Sequence, residues 1–192
     1  FDDYQVLQAL HRFPLEGRQV DLQFSYSQPY VNVVKEKIEP RQSSQSILQL
    51  GYQFSCQYGD KDYFALIVFN AMFGEFAHSA LFTTLREKEG LAYSISSQFD
   101  IFTGLLEVYA GIEKSNRDQA MRGISRELNY IKLGRFSSSL LNQTKKIIRM
   151  NALLSEDHAL TLVEQRFNKV IFGDKSLSLE NWLDEIEKVT KK

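Results

Sequence analysis

The chain is poor in the residues that anchor metals and cross-links. Its 192 residues include one cysteine, three histidines and three prolines. A single thiol, Cys56, excludes an internal disulfide and suits a reducing, cytoplasmic compartment. The histidines, His11, His78 and His158, stand far apart, none with a second histidine within one or two helical turns. Together with one cysteine they cannot build a conventional structural zinc site, so no metal is expected in this chain. Net charge is also lacking: the formal value is −1, which gives no electrostatic case for nucleic acid or an anionic membrane as partner. The longest apolar run, Tyr63 to Phe69, is far too short to span a bilayer. There is no G-x-S-x-G elbow for a serine nucleophile and no glycine-rich phosphate loop.

What is present is an ordinary globular composition, 43% hydrophobic and 24% charged, with clear periodicities. Asp3 to Arg12 reads as a helix with Val6, Leu7 and Leu10 on one face. Gln19 to Tyr26 alternates as a strand, and Val31 to Ile38 reads as a loop or an edge strand. Leu48, Leu50, Tyr52, Phe54 and Cys56 share one face of a further strand. Asp60 is a candidate N-cap for an all-round apolar helix, Lys61 to Phe73, which Gly74 would stop. Ser79 is a candidate N-cap for a helix running to Glu89 and ended by Gly90. Tyr93 to Phe102 and Leu105 to Ile112 form a hairpin around Thr103-Gly104.

The period then becomes helical. Ala120, Met121, Ile124, Leu128 and Ile131 line one stripe, closed by Gly134. Ser137 starts a second helix with Leu140, Leu141, Ile147 and Ile148 inward. Ala159, Leu162, Val163, Phe167 and Val170 line a third, closed by Gly173. Ser178 caps a last helix with Trp182, Leu183 and Ile186. Strands followed by helices predict an α+β fold: one mostly antiparallel sheet with helices packed on one face. We expect a single domain over residues 1–192, with a strand-rich part at about 15–112 and a helical part at about 115–190. The opening FDDYQVLQAL and the closing Val189-Thr190-Lys191-Lys192 look interior, so the expectation is a fragment of a larger protein.

Chemical content concentrates between Ser79 and Ser97, SALFTTLREKEGLAYSISS. Arg86 and Tyr93 stand on the two sides of one glycine turn. Arginine is permanently charged and forks toward carboxylates and carbonyls, and a phenol can donate to a developing oxyanion. From spacing alone, Arg86 reads as a solvated residue near a helix C-terminus and Tyr93 as an ordinary strand aromatic. His78 reads as a neighbour of the Ser79 cap, His158 as a surface residue in the first turn of a helix, and Cys56 as a small core residue.

The stretch, with Asp62-Tyr63-Phe64-Ala65-Leu66 and Phe73-Gly74 before it, resembles the pitrilysin/insulinase/mitochondrial processing peptidase family of zinc metallopeptidases, in a bacterial form. The likeness is to the second, non-zinc domain of one half. It runs specifically through Ser79-Ala80-Leu81-Phe82 and Leu85 to Ser94, and more weakly from about Gln45 to the end of the chain. The family's glycine cluster after the first helix is here Gly74-Glu75-Phe76, a turn with fewer glycines. The family's zinc motif, H-x-x-E-H, is absent.

The resemblance implies that Arg86 and Tyr93 reach a zinc site carried by a domain upstream or by a partner subunit. There they would hold a peptide substrate and stabilise the tetrahedral intermediate, with Tyr93's hydroxyl free of internal partners. It leaves two other roles open, a catalytically silent chamber wall for an active partner and a pure assembly module.

Overall fold

A computed structural model describes residues 2–13, 32–156, 158–173 and 176–191. The strand expected over Gln19–Tyr26 lies outside the described residues, and residues 32–38 carry no regular structure. The first described element is helix α1 (Asp3–His11), whose start is fixed by Asp2 Oδ1 accepting from the Tyr4 amide. Strand β1 (Ser46–Gln53) follows, and β2 (Ser94–Asp100) and β3 (Leu105–Ile112) form the hairpin. The three strands make one antiparallel sheet in the order β1-β3-β2.

Register explains the burial. Leu48, Leu50 and Tyr52 of β1 pair with Ala110, Val108 and Leu106 of β3, which pair in turn with Ile95, Ser97 and Phe99 of β2. These side chains share one face of the sheet, because successive residues of a strand point to opposite sides. The other face is polar at its centre, where Glu107 accepts from Gln49 at 3.0 Å and from Gln98 at 3.2 Å.

Helices cover the apolar face. Helix α2 (Tyr63–Asn70) runs directly into a wider π-helical turn, Ala71–Glu75, and a second π-helical segment spans Phe82–Lys88. Val68, Ala71, Met72, Phe73, Leu81 and Leu85 are nearly or fully buried there. Helix α3 (Arg117–Lys132) adds Ala120, Ile124 and Ile131, α4 (Ser138–Ser155) adds Leu141 and Ile148, and α6 (Leu179–Lys188) adds Leu183 and Ile186. Ser137 and Ser178 cap α4 and α6 through their hydroxyls, as their positions predict. The α+β architecture expected from the sequence is what the chain adopts.

Three local expectations fail. Asp60 does not cap α2; its carboxylate accepts from the Gln57 amide at 2.8 Å, closing its own turn, and Asp62 takes the N-cap position without a side-chain bond. Gly74 does not stop the helix but lies inside the π-helical turn. A Cβ there would sit 2.7 Å from the Ser97 amide nitrogen, so glycine is required by the close approach of helix to strand β2. Helix α5 (Ala159–Phe172) forms over its expected span, yet none of its residues is buried. Its terminal Phe172 stacks on Tyr58 at 4.0 Å between ring centroids and on Phe102 at 5.8 Å.

Candidate functional site

The segment around Gly90 owes its shape to competing hydrogen-bond patterns. Ser79 opens the helix: its carbonyl accepts from Thr83 at 3.0 Å, and its hydroxyl lies 3.4 Å from the Phe82 amide. The chain then widens, so that Glu89 donates to the Thr84 carbonyl and Leu91 to that of Leu85. Gly90 between them adopts φ +61°, the left-handed region that a side chain disfavours. Tyr93 immediately rejoins the sheet, its amide donating to Gly111 at 2.8 Å. The turn is thus clamped at both ends, and π-helical turns of this kind recur at functional sites.

Arg86 lies in the last turn before Gly90 and is exposed. Its guanidinium sits 4.5 Å from the centroid of the Phe82 ring, one turn back on the same segment. A cation over an aromatic face is held in place without being neutralised. Among the described residues Arg86 has no carboxylate partner.

Tyr93, at 50% exposure, differs from expectation. Its hydroxyl is not free: it donates to Glu113 Oε1 at 2.7 Å. That bond, with a lesser contribution from burial and from the carboxylate's charge, holds the phenol above its ordinary pKa. Glu113 went unnoticed in the sequence, although the hairpin signals it. Pairing Ser94 with Gly111 brings the residue before β2 alongside the residues that leave β3.

Between the turn and α3 lies an open groove of about 450 Å³ lined by Glu89, Leu91, Gln119, Arg122, Gly123 and Arg126. Arg126 ties its two walls, contacting Glu89 at 2.6 Å and Glu127 at 3.0 Å.

The remaining sequence candidates take structural places. His78 Nε2 lies 2.9 Å from Thr144 Oγ1 of α4, and its ring stacks on Phe76. It is therefore a tertiary link as well as a neighbour of the cap. His158 is the exposed N-cap residue of α5. Cys56 is half-buried, and burial with the nearby Asp60 and Asp62 pushes its thiol pKa up, the opposite of a reactive thiolate. No three His, Cys, Asp or Glu side chains converge on a metal-sized point among the described residues. The donor set does not fit a zinc ion.

A wide-turned helical segment, a glycine reversal, an arginine and a tyrosine stand beside the antiparallel sheet, with no metal-sized cluster among the described residues. Comparisons with known proteins supply the class, that of zinc-protease-like domains. The chain belongs to the peptidase M16 inactive domain family, whose profile matches residues 10–148. It is 41% identical over 157 residues to a Bacillus subtilis protein named "Probable inactive metalloprotease YmfF", covering 82% of this chain and 37% of that protein. A conserved protein from Enterococcus faecalis has a solved structure that matches with a TM-score of 0.87 at 36% identity, over 100% of this chain and 45% of the other. A peptidase M16 inactive domain from Pseudomonas fluorescens matches in fold, with a TM-score of 0.64 at 22% identity, over 77% of this chain and 36% of that one. The chain therefore spans less than half the length of each of these relatives. Among the described residues no helix is long and apolar enough to cross a membrane.

Proposed function

We propose that this domain closes one side of a proteolytic chamber and presents Arg86 and Tyr93 to a peptide held at a zinc site on another domain or subunit. The observation that carries the reading is Arg86. It is an exposed guanidinium, braced on Phe82 and free of any carboxylate partner among the described residues. A planar fork in that state suits the carbonyl or carboxylate groups of a peptide. Tyr93 supplies the neutral donor across the Gly90 turn. A cytoplasmic setting suits the unpaired Cys56.

In a zinc-competent complex containing the domain, Tyr93→Phe should lower kcat by about a hundred- to a thousandfold while leaving KM nearly unchanged. Loss of one donor to a developing oxyanion has that size and acts mainly in the transition state. Arg86→Lys should weaken substrate binding as well, because an ammonium does not reproduce the fork. Wild-type kcat in Tyr93→Phe would remove the tyrosine from the chemistry and return the domain to a chamber wall.

A further inference from the structure

We propose that Glu113 is a positioning residue for Tyr93, a carboxylate latch that holds the phenol's proton and fixes the ring while no ligand is engaged. The proposal rests on the reading of Tyr93 as an oxyanion donor. A tyrosine hydroxyl has one proton to give. In this structure that proton points at Glu113 Oε1 across 2.7 Å, a well-formed O–H···O distance. A peptide carbonyl arriving at Tyr93 must therefore compete with Glu113 for the same proton.

The two members of the clamp are thus held differently. Arg86 is braced by an uncharged ring, whereas Tyr93 is held by an anion. An anion beside the phenol also opposes any second negative charge placed there, so Glu113 should restrain the pair until a ligand displaces it. Glu113 is placed by the sheet, directly following the last residue of β3, while Ser115 Oγ stands 3.5 Å from its second oxygen, at the long limit of a hydrogen bond.

The other charges near in sequence, Lys114 apart, have their own engagements or stand across the turn. Lys114 follows Glu113 directly, and Arg117 at the head of α3 contacts Glu36 and Asp118. Arg86, Glu87, Lys88 and Glu89 lie on the far side of Gly90, with Glu89 held by Arg126. Glu113 is the charged group acting on the Tyr93 phenol among the described residues.

Phenolate absorbance isolates the latch without any partner or substrate. The titration of Tyr93 is obtained as wild type minus Tyr93→Phe, and again as Glu113→Gln minus the double variant. Glu113→Gln keeps the shape and an acceptor oxygen but removes the charge. We expect the Tyr93 midpoint to lie above the ordinary phenol range in the wild type and to fall toward it in Glu113→Gln, with unchanged far-ultraviolet circular dichroism. An unmoved midpoint in the folded variant overturns the latch. Should Glu113→Gln fail to fold, Glu113→Asp, whose shorter arm draws the carboxylate away, must lower the midpoint in the same direction or the proposal falls. A shifted midpoint beside wild-type kcat in Tyr93→Phe would keep the latch and discard the catalytic reading, so the two failures are separable.

Discussion

Helices α3 and α5 carry apolar stripes of similar regularity and meet different fates. In α3, Ala120 and Ile124 are at 0% exposure and Ile131 at 9%, facing the π-helical segments. In α5, Leu160, Val163, Phe167 and Val170 recur at intervals of three or four, yet their exposures are 70%, 63%, 59% and 83%. The far end of α4 behaves like α5, with Met150 at 53% and Leu154 at 58%. A helical period identifies a face. Whether that face is covered depends on elements distant in sequence, which periodicity does not contain. Nothing among the described residues covers these side chains of α5.

The largest test of this contrast is a pair of truncations. Phe73 is fully buried and stacks on Phe69 at 5.5 Å between centroids. Phe73→Ala should cost about 3–5 kcal/mol in urea unfolding, through lost transfer energy and the cavity left behind. Val170→Ala removes the same class of atoms from the opposite environment and should stay within about 0.5 kcal/mol. A comparable loss from both variants would mean that α5 is covered in solution.

The sequence carried the repeated features of the fold, and it carried them for local reasons. Alternation placed β3 at Leu105–Ile112 without error, and hydroxyl caps fixed the starts of α4 and α6. The turn at Gly90 was legible because glycine tolerates the positive φ that it adopts, +61°, whereas roles for Arg86 and Tyr93 were read from resemblance alone. The misses were of two kinds, one local and one tertiary. Asp60 is a chemically suitable cap that finds a nearer amide, and Glu113 matters only because the hairpin register brings it to Tyr93.

Gly74 was read as a helix stop because glycine usually ends helices, whereas its role comes from strand β2. Ser97 leans over it, and Ser97 Oγ donates to Asn70 Oδ1 at 2.8 Å, while Asn70 donates to Glu75 at 2.9 Å. This polar chain pins the π-helical turn against the sheet, with Asn70 and Ser97 both buried. Gly74→Ala would drive a methyl into the Ser97 backbone and should destabilise by about 2–3 kcal/mol, more than the helix-propensity gain of alanine can offset. A helix stop would show the opposite behaviour: alanine there would disturb only the chain leaving the helix, with no response to Ser97. Pairing Gly74→Ala with Ser97→Gly distinguishes the two, because the smaller strand residue should restore part of the loss.

The smallest expected effect concerns the junction between the buried half and α4. His78 touches Thr144, which is at 0% exposure, and burial lowers the imidazole's pKa below its ordinary value. Phe76 covers one face of the ring, and Lys145 beside Thr144 donates to the Glu187 carbonyl of α6. The sign follows from which state takes up the proton first. With the folded value below the unfolded one, falling pH protonates the unfolded chain earlier, so stability is lost as pH drops below about 6.5. Thr144 can accept from a protonated ring as well as donate to a neutral one, so the loss reflects desolvation of the charge and not a broken bond. Urea midpoints measured at about pH 7.5 and about pH 5.5 should therefore fall further in the wild type than in His78→Gln, which keeps a polar partner for Thr144 but does not titrate. Equal falls in both proteins would show that the ring is hydrated, and that the contact between the Ser79 cap and α4 opens as readily as α5 stands exposed.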